Sequence, residues 1–355
     1  MSCTLTIRRV VLASGVLLSV ACGGIAAPRT APAKDAAVET LDVLLFDGVK
    51  NVTAMVAGPD GNLWLATSDG TIARLTMAGE IDVFPIGLWQ SGYTSLARGP
   101  DGYLWCSSDC SDCPLARVAT DGTITEVSVE DDLRPVWCLT NAPDGSVWFS
   151  GGYLGGEGGL GHITANGVER ARTVTPVDCS GPTPALAMDP DGNAWLSVQG
   201  RVLGGDGYPC IELLRIAPDG QTTQHEACPG GTSKCTRDHC CEVPDPLVIG
   251  SDGNLWFRWG DAVPYREYVT GIVRMSPSGS PSYFRFGSSD RMTLGPDGNI
   301  WSSFGPSISR ITPSGDSTYF RLPDGVIAQQ IATGPDGNPW LALKDGRVAR
   351  VSLPQ

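Results

Sequence analysis

Histidine is scarce in this chain: there are three, His162, His225 and His239. Imidazole chemistry is therefore confined to those positions. A basic patch is also lacking. Lys and Arg total 25 against 38 Asp and Glu, for a net charge of −13 and a pI of about 4.6. Such a chain has nothing to meet phosphates along a duplex, which excludes a nucleic-acid role. The apolar run Val10 to Ala21 is too short for an ordinary membrane span. The full acidic spacing of a calcium loop is absent as well, although Asp-Gly pairs are frequent.

What the chain has in plenty is turn chemistry, with 45 Gly and 27 Pro. One phrase recurs seven times: an Asp-Gly turn followed by a short apolar strand carrying a Trp. The first copy is Gly58-Pro59-Asp60-Gly61-Asn62-Leu63-Trp64. The later copies end on Trp105, Trp148, Trp195, Trp256, Trp301 and Trp340, at steps of 41, 43, 47, 61, 45 and 39 residues. A period of about 40 residues built of strands and tight turns marks a β-propeller, here all-β and seven-bladed. A second phrase follows about a dozen residues after each Trp, as in Ala73-Arg74-Leu75 with Ala78-Gly79. Each unit thus predicts four antiparallel strands, A to D from the centre outward. The Asp-Gly turn joins A to B, and the second Gly turn joins C to D. The repeated Trp is expected to pack between blades. The last unit stops after Arg347-Val348-Ala349-Arg350-Val351, a strand C. The segment Thr40 to Gly48 is expected to supply its missing strand D, closing the ring as one domain over 39–355.

Ahead of the propeller, Arg8 and Arg9 precede the apolar run, which ends Leu18-Ser19-Val20-Ala21-Cys22. Residues 1–22 read as an export signal of lipoprotein type, with Cys22 the lipidated residue and Ser19 where the motif prefers Leu. Cleavage near Ala26 is the alternative, and the paired Arg leave Tat as well as Sec export open. Residues 23–38 are rich in Ala and Pro, suited to a tether. The expected location is the cell envelope, with membrane attachment by the lipid alone, or the periplasm or exterior if the anchor is lacking.

Beyond Cys3 and Cys22, ten cysteines remain: Cys106, Cys110, Cys113, Cys138, Cys179, Cys210, Cys228, Cys235, Cys240 and Cys241. An even number in an exported chain predicts disulfides, five if all pair. Zinc is the competing reading, since Cys106, Cys110 and Cys113 are close and His239 adjoins Cys240-Cys241. Nine of the ten fall in or beside the D–A and B–C connectors, which share one face of a propeller. The irregular stretches Gly151 to Gly161, Gln199 to Glu212 and Trp259 to Gly271 are expected to be B–C connectors there. The insertion at about 225–245 joins blades four and five. Trp89, Trp137 and Trp259 also belong to this face, which makes it the candidate binding face.

The start of each strand A should lie at the mouth of the central channel. Those positions are Thr53, Thr94, Trp137, Pro184, Asp245, Asp290 and Gln329. Asp245 and Asp290, on neighbouring blades, form a candidate pair for holding a divalent cation or moving a proton. Pairing with a local Arg, such as Arg291, is the structural alternative. Trp137, Trp259 and Gln329 complete the candidate ligand-binding set.

The Gly-Pro-Asp-Gly-Asn-Leu-Trp phrases, each followed by an Arg-bearing hairpin, resemble the streptogramin B lyase (virginiamycin B lyase) family over about 38–355. The resemblance implies a seven-bladed propeller closed by its N-terminal strand. It also implies magnesium-assisted elimination that opens a cyclic depsipeptide antibiotic. The family's strand-A His would fall on the seven mouth positions, and none is His. Its strand-B Glu would fall on Thr67, Ser108, Gly151, Val198, Trp259, Phe304 and Leu343, and none is Glu. The family fold is thus expected without the family's catalytic set. A monomeric propeller that binds a small molecule, glycan or envelope protein at its Cys-rich face is the leading expectation, with no certain cofactor. A magnesium-dependent carbon–oxygen lyase with rearranged groups, and a sugar-binding or sugar-cleaving propeller stacking on Trp89, Trp137 and Trp259, are the alternatives.

Overall fold

The computed structural model describes residues 39–40, 42–86, 94–108, 113–152, 159–173, 179–180, 185–202, 209–225, 246–261, 269–285 and 291–352. Within them lie seven antiparallel sheets of four core strands. Blade one is typical, with strand A at Val52–Ala57, B at Leu63–Thr67, C at Thr71–Leu75 and D at Ile81–Pro85. Each strand A contacts the strand A of the next blade, and blade seven contacts blade one, so the ring is closed. Closure is as expected: Asp42–Phe46 pairs antiparallel with Val348–Ser352 as strand D of blade seven. Just before it, Glu39–Thr40 pairs in parallel with strand D of blade six, Ser317–Arg321. The N-terminal segment therefore grips two blades.

The repeated phrase holds each blade by one linked set of bonds. In blade one the Trp64 indole N–H donates to the Asp60 carboxylate at 2.9 Å, and Asn62 donates to the same group. Arg74, opposite Trp64 in strand C, approaches that carboxylate and reaches the Thr120 carbonyl of blade two at 2.8 Å. From strand D, Phe84 stacks on Trp64 at 5.8 Å. The set recurs around the ring, with Trp301–Asp297–Arg310 and Trp340–Asp336–Arg350 as further examples. A charge-assisted bond to a buried indole N–H satisfies a donor that would otherwise be costly. The carboxylates of these turns are thus engaged by protein donors, in keeping with turn chemistry rather than calcium loops.

The Gly that opens the phrase has a packing reason. A Cβ on Gly58 would come 2.2 Å from Trp64 Cδ1, so the indole can swing onto the Asp only over a bare backbone. Blades three and four break this rule, with Ala142 and Asp189 at that position, and their Trp N–H groups bond elsewhere. Trp148 donates to Ser146, which is itself bonded to Asp144. Trp195 donates to Asp189 at 3.1 Å.

Two connectors differ from expectation. Residues 199–202, 209–212, 259–261 and 269–271 are strand rather than connector. Blade four extends B to Val202 and starts C at Pro209, and blade five extends B to Asp261 and starts C at Val269. Paired backbone groups satisfy one another there, which a bare loop could not do. Cys179–Ser180 adds a further short strand to the blade-four arm.

The expectation of five disulfides is corrected at two positions: Cys106 and Cys138 are buried thiols. Cys106 lies in the packed strand B of blade two, where burial pushes its pKa up and leaves it inert. Cys138 places its sulfur 3.2 Å from the Ser150 hydroxyl. Cys113 is disulfide-bonded, which removes it from a zinc set with Cys106. The side chains of the other seven cysteines lie outside the described residues, as do residues 1–38 with Cys22, Trp89, Pro184, Asp245 and Asp290.

Candidate functional site at the channel mouth

Strand A enters the ring at the connector face, and three mouth positions share a backbone device. Register shifts between Val52 and Ala54, Val136 and Cys138, and Ala328 and Gln330 leave Thr53, Trp137 and Gln329 out of their ladders. A bulge re-aims the side chain of the unpaired residue and bends the strand. The same offset recurs in blades one, three and seven.

Thr53 and Gln329 come together in one cavity of about 510 Å3 at the inner edge of the connector face. Gln330, Arg258, Arg291 and Lys344 line it with them. Arg258 comes from strand B of blade five, Arg291 opens strand A of blade six, and Lys344 follows strand B of blade seven. Lys344 is anchored by its own backbone N–H, which donates to the Ile327 carbonyl at 2.9 Å. Ile327 joins the lining, and beside it an isolated bridge pairs Gly305 with Ala328. Ile327, in the lining, is 40% exposed, and Phe304, outside the lining but next to the bridged Gly305, is 41% exposed.

The two tryptophans of the candidate set are placed differently. The Trp137 N–H donates to the Gly152 carbonyl at 2.7 Å, which ties strand A of blade three to its own B–C connector. It does not line the cavity. Trp259 is buried at 6% exposure, packed edge-on against Tyr283 and over Gly271. Its ring is covered, so it serves the core of blade five rather than a stacking surface. Reading by residue type had favoured carboxylates and aromatics, and so passed over Arg258 and Lys344 and took Arg291 for a carboxylate's partner rather than a lining group. Their only sequence signal is place: Arg291 is one residue after a mouth position, and Lys344 is one after a strand-B end.

Among the described residues, the slots of the family's Glu are the buried Thr67, Ser108, Val198, Trp259 and Leu343, the exposed Phe304, and Gly151. The described lining offers cations, amides and a hydroxyl, with no carboxylate or imidazole. A magnesium ion wants anionic oxygen donors. The three cationic side chains of the described lining do not fit it.

The fold and the mouth define the class: a seven-bladed β-propeller with a polar cavity at one end of its channel. Residues 37–204 match the model of the Virginiamycin B lyase family. The chain is thus a propeller similar to the streptogramin B lyases, and the likeness in sequence spans blades one to three and the first two strands of blade four. Solved structures agree on the fold. A streptogramin B lyase superposes with a TM-score of 0.64 at 18% identity, covering 88% of this chain and 98% of its own. A catalytically inactive virginiamycin B lyase from Staphylococcus aureus with quinupristin gives 0.65 at 15% identity, with 88% and 100% covered. YCF48 bound to a D1 peptide gives 0.59 at 12% identity, with 91% and 98% covered. No curated protein matches the chain.

Proposed function

We propose that this protein is an exported, lipid-anchored propeller that binds a ligand at its channel mouth and does not catalyse its turnover. One observation carries the reading: the cavity at the mouth is lined by Arg258, Arg291, Lys344 and amide groups. An elimination needs a base to take the proton and an electrophile to steady the leaving carboxylate. Arginine is not a base at ordinary pH, and the two glutamines cannot accept a proton usefully. A lysine serves as a base only where its surroundings strip its proton, which a cavity shared with two guanidiniums and no described carboxylate would have to do for Lys344 alone. The family fold would then serve as a rigid ring whose connector face has been rebuilt for recognition. Lipidation at Cys22 and a tether over 23–38 would hold that ring near the membrane, and disulfides among the connector cysteines would brace its face.

The test is direct. The full-length chain is incubated with quinupristin and magnesium, and ring opening is followed by mass spectrometry. The expected result is unchanged antibiotic at high protein concentration. Magnesium-dependent opening that disappears in the Asp245→Ala, Asp290→Ala double variant would overturn the non-catalytic reading and locate the active groups.

A further inference from the structure

We infer that the channel mouth is a site for a small organic anion, a carboxylate or phosphate carried on an apolar body. This rests on the binding reading above and names its ligand class.

The first argument is charge placement. Acidic residues outnumber basic ones in this chain by 38 to 25, yet the described side chains of the cavity are cationic wherever they carry charge. Arg258, Arg291 and Lys344 come from three different blades, so no local sequence run explains their meeting. Cationic groups converging on a concave site make a favourable potential for an anion there. A guanidinium carries five N–H donors in a planar fork, so an Arg already held by a protein group still has donors to offer a carboxylate or phosphate. Gln329, turned out of its ladder, and Gln330 add amide donors to the same cavity.

The second argument is the rim. Phe304 and Ile327 stay exposed on adjoining segments joined by the Gly305–Ala328 bridge. A ligand with only a charged head would leave both uncovered, whereas an acyl or aryl body would bury them. A cavity of about 510 Å3 suits a small molecule rather than a duplex or a folded partner. Long-range repulsion from the net charge of −13 makes this an anion site that works by contact rather than by steering.

The experiment is calorimetry on the full-length chain, with octanoate and 1-naphthyl phosphate as probes at low salt. Octanol and octylammonium are the neutral and cationic controls. Both anions are expected to bind, octanol about tenfold more weakly and octylammonium not at all, with anion affinity falling as salt rises. Arg291→Gln and Lys344→Gln should each weaken anion binding about tenfold, Lys344→Gln with the melting temperature unchanged. Octanol or octylammonium binding as tightly as the anions would overturn the inference. So would anion affinity unmoved in the Arg291→Gln, Lys344→Gln double variant. These outcomes remove the ligand class alone; ring opening of quinupristin would instead remove the non-catalytic reading on which it stands.

Discussion

The two faces of the ring follow different rules. On the turn face, Asp and Trp recur in every blade, and an Arg lies opposite the Trp in all but blade three, where His162 takes its place. Even where the opening Gly is lost, the indole N–H is bonded. Trp195 finds Asp189 and Trp148 finds Ser146 where the opening Gly is lost. On the connector face, equivalent positions hold Thr53, Trp137 and Gln329; Thr53 and Gln329 line the cavity, whereas Trp137 bonds to the Gly152 carbonyl. The turn face stabilises, so each blade repeats the solution that satisfies its buried indole. The connector face is under no such constraint and is free to differ. Arg258, Arg291 and Lys344 also lie beyond the residues matched by the family model, which end at 204.

The contrast can be broken most sharply in the core. Trp256→Ala removes a fully buried indole from blade five and should cost ~3–5 kcal/mol in urea unfolding. A loss no larger than that of a mouth substitution would erase the distinction between the faces. Next is Asp336→Ala, which leaves the Trp340 N–H and Arg350 without their shared carboxylate, a cost of ~1–3 kcal/mol. Burial works against ionisation of Asp336, but bonds from Trp340, Asn338 and Arg350 outweigh it and hold its pKa at about 2, below the ordinary 3.8. Its contribution is present above about 3.8 and is lost as pH falls toward about 2. The variant should therefore show a flatter acid limb in melts across that range.

A smaller effect sharpens the same contrast within the turn face. His225 occupies the strand-D place that Phe84 fills in blade one, tilted over Trp195 at 5.2 Å and wedged against Gly279. Burial lowers its pKa below 6.5, and the charge of Arg215 adds to this. A folded state that prefers neutral His keeps its full stability above pH 6.5 and loses some as pH falls below it. His225→Phe should remove that dependence, leaving melting temperatures parallel to wild type only at higher pH. Smallest of all, Lys344→Gln should shift stability by no more than about 0.5 kcal/mol while weakening anion binding.

Blade number, strand order and closure by the N-terminal strand were all legible in the chain, because Asp-Gly turns and Trp spacing are local signals. The Asp–Trp bond was not, although both residues stood in the repeat. Spacing says that two groups are near, but not that the indole swings over a bare Gly58 to reach Asp60. The paired arms at 199–202 and 209–212 were hidden for a related reason: Gly and Pro in that stretch signal turns, while ladder pairing there depends on a partner strand. Cys106 and Cys138 show the limit of counting, since an even total predicts bridges but burial in separate blades keeps these two as thiols. At the candidate site, Thr53 and Gln329 were found by their place in the repeat, whereas Arg258, Arg291 and Lys344 were not.

The sequence by itself determined the propeller, its seven blades and the absence of the family's His and Glu from their slots, since each of these is written in residues close along the chain. Tertiary structure alone decided which side chains share the mouth. Arg258, Arg291, Gln329 and Lys344 are brought to one cavity with Thr53 only when the ring closes blade seven onto blade one. Closure sets distances between residues that are remote along the chain, and a local pattern carries no information about those.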